Sequence, residues 1–222
     1  MMKLQKLWQE PAQRSKTYYL VDNILSAVTH GIGFCLAVAG LVLLIIKAVS
    51  THSLLRIVTF TIYGSCLLLL YLFSTLFHSL IFTRARNVFQ IFDHSSIFLL
   101  IAGSYTPFSL VAIGGKWGIL LFSLVWIIAI FGIIYYIFNR GKHVILDTIL
   151  YVAMGWLVIL AGNYLYVRLS PVGFWLLVGG GVAYTVGALF YTMKGIPFIH
   201  VIWHLFVILG STLMFFSVLL YV

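Results

Sequence analysis

Charge is the scarcest property of this chain. Only 8% of its 222 residues are Asp, Glu, Lys or Arg, and the acidic ones are just Glu10, Asp22, Asp93 and Asp147. Soluble domains carry about 25% charged residues, so this chain cannot cover a water-facing surface and is not an ordinary soluble domain. Cysteine is nearly absent as well: Cys35 and Cys66 both lie inside apolar runs, where they read as small packing residues rather than a disulfide. The apolar runs lack the ~10-residue alternation of an outer-membrane barrel. No internal repeat is visible.

What fills the chain is hydrophobic surface. Apolar residues make up 63% of it, and the mean hydropathy is +1.15. Seven stretches contain no charged residue: 23–46, 57–83, 94–115, 117–139, 148–167, 169–193 and 195–222, each between 20 and 28 residues long. A helix needs about 20 residues to cross the hydrocarbon core, so the sequence predicts an all-α membrane protein, a bundle of seven transmembrane helices. A short N-terminal segment, 1–19, precedes a membrane domain over 20–222, and Trp8 among basic residues suits the membrane surface. The first apolar run is too long for a signal-peptide core and reads as a retained helix. Gly114-Gly115, Asn139-Arg140-Gly141, Ser170-Pro171 and Lys194-Gly195-Ile196-Pro197 punctuate the junctions. Gly179, Ala183 and Gly187 form a small-residue row suited to a close helix contact.

The net charge of +9 is spread singly through the loops and forms no basic stripe, so it does not indicate a nucleic-acid partner. It does indicate orientation. Lys3, Lys6, Arg14, Lys16, Arg84, Arg86, Arg140, Lys142 and Lys194 share the N-terminal side; Lys47, Arg56, Lys116 and Arg168 lie on the other. The positive-inside rule then puts the N-terminus in the cytoplasm and the C-terminus outside.

Ionisable groups inside membrane spans are costly and face the interior or a cavity. Here they are His30, His78, Asp93, His94, His200 and His204; Asp147 sits at a span edge. The topology brings Ser74 and His78 from span two, Asp93 from span three, and His200 and His204 from span seven to one depth, roughly 5–15 Å below the cytoplasmic boundary at 1.5 Å per residue. Ser74 and His78 are four residues apart, as are His200 and His204, so each pair shares a helix face. Two imidazoles at that spacing can grip one metal ion. The residues between them, Val201, Ile202 and Trp203, offer no carboxylate, which leaves His78 and Asp93 to complete a centre. Three imidazoles with an open position match catalytic rather than closed structural zinc, although imidazoles also suit other late first-row metals. Of the rest, His30 reads as a supporting or packing residue, His94 as pointing away from Asp93, Asp22 as a cap on the first helix, and Tyr105-Thr106-Pro107 as a kink.

The same residues carry a family resemblance. Thr29-His30-Gly31-Ile32-Gly33, Ser74-Thr75-Leu76-Phe77-His78, Phe92-Asp93-His94, Ala102-Gly103-Ser104-Tyr105-Thr106-Pro107-Phe108, Ala153-Met154-Gly155-Trp156 and His200-x3-His204 together resemble the bacterial hemolysin III family, the prokaryotic branch of the progestin and adipoQ receptor family. The resemblance implies seven helices and a zinc ion on the cytoplasmic side, held by His78, His200 and His204. It implies further that Asp93 contacts the water on that ion and that Ser74 is the superfamily's serine. One departure is visible: family members often carry Glu and Asn where this chain has Asn23 and Ser26.

The leading functional expectation is a zinc-dependent intramembrane hydrolase of a lipid amide or ester, similar to ceramidases. Asp93 would accept or orient a proton, and Ser74 would donate a hydrogen bond to developing negative charge. Membrane lipid is the expected substrate or ligand, and the bacterial inner membrane the expected location. Two alternatives stand beside it: a non-enzymatic sensor of membrane state with a structural zinc, and a hemolysin-like, pore-forming cytolytic protein.

Overall fold

The computed structural model describes residues 15–140 and 142–222; the basic segment around Trp8 lies outside them. Among the described residues, seven helices are long and apolar enough to cross a membrane: α1 (Lys16–Ser50), α2 (Leu54–Ser79), α3 (Arg86–Ile113), α4 (Gly115–Asn139), α5 (Val144–Arg168), α6 (Pro171–Thr192) and α7 (Ile199–Tyr221). No strand occurs among them. Neighbours in sequence pack as neighbours in space, and α7 returns to lie against α1, which closes the bundle.

The helix ends differ from the charge-free stretches because a charged side chain does not stop a helix when it can reach the interface. α1 starts at Lys16, capped by Ser15, whose hydroxyl accepts the backbone N–H of Tyr18 at 3.1 Å. Asp22 is therefore not the cap but lies two turns inside. Arg56, Asp93 and Asp147 likewise fall within helices, and Asp147 is buried in the first turn of α5, at the edge of that span.

α1 buries a single narrow seam: Asn23, Ser26, His30, Gly33, Ala37, Gly40, Leu44 and Ala48. These positions are three or four apart, the spacing of a seam between two inclined helices. Ile24, Val28, Ile32, Leu36 and Ile46 point outward, as lipid contact demands. The small-residue row of α6 does pack on α7: Gly173, Gly180 and Gly187 lie close against Tyr221, Met214 and Phe206, and Gly179 faces Leu213 at the margin. The approach is close: a Cβ on Gly187 would lie 2.7 Å from Phe206 Cβ.

Tyr105-Thr106-Pro107 marks an irregularity, as expected, but it also acts at a distance. α3 changes at Pro107 to a wider π-helical turn over Phe108–Ile113. The Tyr105 hydroxyl donates to the carbonyl of Gly155 at 2.6 Å and accepts the N–H of Val158 at 2.6 Å. It thereby satisfies backbone groups that α5 leaves open where it tightens into a 3₁₀ segment, Trp156–Ala161. In an apolar surrounding such freed groups need a partner, and this one comes from a neighbouring helix.

Candidate metal centre

Antiparallel packing brings the end of α2 and the start of α7 to the end of the bundle where α1 begins. His78 lies in the last turn of α2, and His200 and His204 occupy the first two turns of α7. The i, i+4 spacing puts both α7 imidazoles on one face, and α2 delivers the third across from them. His200 Nε2 lies 3.1 Å from His78 Nε2 and 3.1 Å from His204 Nε2. One ligand nitrogen from each residue falls within 4.8 Å of the others, and His78 and His204 are buried.

The far sides of these rings decide where their protons sit. His204 Nδ1 faces the Ser26 carbonyl at 3.2 Å. A carbonyl only accepts, so Nδ1 carries the hydrogen and Nε2 presents a lone pair. His78 Nδ1 lies 3.0 Å from Asn23 Oδ1, with the same consequence. Two bare nitrogens therefore point at a third, and a hydrogen on His200 can satisfy only one of them. A cation satisfies all three. Nitrogen ligands about 2.0–2.1 Å from a tetrahedral ion are separated by about 3.3 Å, close to the spacing found here. The three residues thus fit a late first-row metal ion, and three neutral imidazoles leave a position open for a further ligand.

Beside the α7 pair of the triad is a pocket of about 20 Å³ lined by Ser74, Asp93, His94 and Tyr191 as well as His200 and His204. That is room for one water-sized group. Asp93 and Ser74 thus share this pocket with His200 and His204. The two side chains lie side by side, so that the Ser74 hydroxyl faces the Asp93 carboxylate. His30 packs flat on His204, ring centroids 3.5 Å apart and planes 13° from parallel, with the Tyr71 ring edge-on at 5.1 Å. Neither of its nitrogens has a hydrogen-bond partner among the described residues, so His30 meets the triad by ring stacking alone.

His94 does not point away. Its Nδ1 lies 3.5 Å from Asp93 Oδ2 and donates to the Gln90 carbonyl at 3.0 Å, while Nε2 accepts the Tyr191 hydroxyl at 3.2 Å. The 100° turn from Asp93 carries the ring onto Tyr136, where it stacks at 5.0 Å. The pocket is wide enough to be bordered by both. Tyr191 had no signal in the sequence, being one of thirteen tyrosines in an aromatic-rich chain.

The site is the head of a series of cavities. Leu70, Ile97, Trp203 and Val207 are shared between the pocket beside the triad and a second space of about 90 Å³. Ser104, Tyr105, Gly155, Trp156, Gly181 and Met214 are shared between that space and a third of about 390 Å³. The third lies along the 3₁₀ break of α5, and its lining is mostly apolar.

The family model described as Haemolysin-III related matches residues 18–215. The chain belongs to the haemolysin III family. It is 47% identical over 206 residues to Hemolysin-3 of Bacillus cereus, covering 93% of this chain and 94% of the relative. To the Hemolysin-3 homolog of Bacillus subtilis (strain 168) it is 48% identical over 204 residues, covering 92% and 96%. A more distant similarity, 29% over 170 residues (72% of this chain and 69% of the relative), connects this haemolysin III chain to the human Monocyte to macrophage differentiation factor.

Proposed function

We propose that this haemolysin III protein is a zinc-dependent hydrolase of a lipid amide or ester, working in the bacterial cell membrane with its metal centre near the cytoplasmic face. The observation that carries the reading is one arrangement. Three imidazole nitrogens converge beside a carboxylate and a hydroxyl, at the head of an apolar cavity series.

His78, His200 and His204 would hold the ion. Bound zinc supplies Lewis-acid polarisation of a carbonyl and activation of water near neutral pH. The chain's own residues do the rest. Asp93 takes a proton from water and returns it to the leaving nitrogen or oxygen as the acyl bond breaks. Ser74 orients that carboxylate and stands ready to donate to negative charge on the acyl oxygen. The cavities toward Trp156 and Met214 suit a hydrocarbon chain, which places its carbonyl end at the triad.

Two other readings have less support. A purely structural metal would not need an open position beside Asp93. A cytolytic pore, which the name of the Bacillus cereus relative suggests, would need a polar passage for hydrated ions, and the cavities described above are lined mainly by apolar groups.

The test uses the full chain in lipid vesicles with long-chain N-acyl amides and carboxylic esters, following free fatty acid by mass spectrometry. Release is expected with zinc, lost on chelation, and reduced at least about 100-fold in Asp93→Asn, the usual scale for removing a general base. The Asn variant should still bind zinc. No release from any substrate by zinc-loaded protein, or equal release by metal-stripped protein, refutes the proposal.

A further inference from the structure

The residue that decides how His78 presents itself lies on a different helix, in a position the proposed chemistry does not use. Asn23 is 4% exposed, on the buried seam of α1. Its Nδ2 donates to the Tyr19 carbonyl at 2.8 Å, and its Oδ1 lies 3.0 Å from His78 Nδ1.

The Tyr19 carbonyl fixes which way round the amide sits. In this orientation Oδ1 faces His78 and can only accept, so the hydrogen stays on Nδ1 and Nε2 is left as a lone pair aimed at His200. Reversed, the amide would place Nδ2 against His78 and another acceptor against the Tyr19 carbonyl. Nδ1 would become the acceptor, the ring hydrogen would move to Nε2, and the nitrogen facing the triad could not bind a metal. Main-chain geometry in α1 therefore propagates through one amide to the tautomer of a ligand on α2.

We propose that Asn23 is a positioning residue of the metal centre: it holds His78 in its ligating tautomer and, being uncharged, gives the centre a lower affinity than a carboxylate in its place would. Groups that hydrogen-bond the non-ligating nitrogen of a metal-bound imidazole orient the ring and raise its basicity, and their loss typically costs 10–100-fold in affinity. The inference rests on the triad's binding a metal, not on the hydrolase activity.

The experiment titrates Co(II) and Zn(II) into purified full-length protein against a chelator and records the visible Co(II) spectrum. Asn23→Leu keeps the volume of the side chain but removes the acceptor. It is expected to weaken binding at least tenfold and alter the Co(II) bands. Asn23→Asp keeps an oxygen against Nδ1 and is expected to bind at least as tightly as the wild type. A loss smaller than tenfold in Asn23→Leu overturns the proposal. So does weaker binding by Asn23→Asp, which also decides the matter if the Leu variant does not fold. Failure of the wild type to bind either ion is a separate result: it removes the metal reading of the triad itself.

Discussion

Removing His200, the least buried of the three triad histidines, should separate metal binding from folding. His200 borders the pocket and is partly exposed within it, whereas His204 is 1% exposed and clasped between His30 and the Ser26 carbonyl. A ligand at 100 times its dissociation constant stabilises the folded state by about 2.7 kcal/mol. For a chain of this size that is a rise of about 5–10 °C in thermal midpoint, at about 2–4 °C per kcal/mol. Binding energies of about 10–16 kcal/mol for four-ligand zinc sites imply about 3 kcal/mol per ligand, or roughly 100-fold in affinity. At the same zinc concentration His200→Ala would then be near its own dissociation constant, where stabilisation falls to about 0.4 kcal/mol, a shift of about 1 °C. Its metal-free midpoint should fall less than that of His204→Ala, because His200 is the less buried ring. His204→Ala should lose the zinc response and also unfold earlier without metal, since truncating a buried ring costs about 2–4 kcal/mol. Thermal unfolding of chelator-treated protein in detergent, followed by tryptophan fluorescence with and without zinc, reads all three quantities. A zinc shift in His200→Ala within 2 °C of the wild type would show that this imidazole is not a ligand, and the centre as described would be wrong.

Three further outcomes follow from the same structure. Tyr105→Phe leaves the Gly155 carbonyl and Val158 N–H without their partner and should destabilise the protein by about 1–3 kcal/mol; a change under about 0.5 kcal/mol in denaturant titration would mean the hydroxyl does not hold the break in α5. Gly187→Val drives side-chain atoms into Phe206 and Trp203, which a Cβ alone would approach at 2.7 and 2.9 Å. It should cost about 1–3 kcal/mol by overpacking, and a neutral result in the same titration would contradict the α6–α7 contact. In a background with Cys35 and Cys66 replaced by serine, a cysteine at Arg84 should resist an impermeant maleimide in intact cells while one at Lys116 reacts; the reverse labelling would invert the orientation inferred from loop charge.

The seven helices were legible because a chain so poor in charge has few other ways to satisfy its backbone in lipid. The triad was legible for a narrower reason: an i, i+4 histidine pair and a third histidine at the same depth, once loop charge had set the orientation. The start of α1 was not legible, since Asp22 looks like a boundary in one dimension but lies inside that helix. The break in α5 is invisible locally because its hydrogen-bond partner is Tyr105, about 50 residues earlier. His94 was misplaced by treating one helix face as the limit of a pocket bordered by several helices. Tyr191 meets the pocket only through tertiary packing.

The buried seam of α1 connects these points. Its first third carries Asn23, Ser26 and His30, and the remainder carries Gly33, Ala37, Gly40, Leu44 and Ala48. In lipid the apolar effect does not tell one face of such a helix from another, because Ile24, Val28 and Ile32 are as comfortable outward as inward. The polar groups do tell them apart. Rotation of α1 by one residue would turn Asn23 toward lipid and leave His78 and His204 without their Nδ1 acceptors, each an unsatisfied group in an apolar interior. The contacts that set the register of α1 are therefore the contacts that prepare two of the three imidazoles for a metal. A bound ion in turn would favour the tautomers that α1 imposes, so docking of this helix and occupation of the centre should be mutually reinforcing. Weakening the α1 seam far from the triad should lower metal affinity, and stripping the metal should loosen α1 before the rest of the bundle.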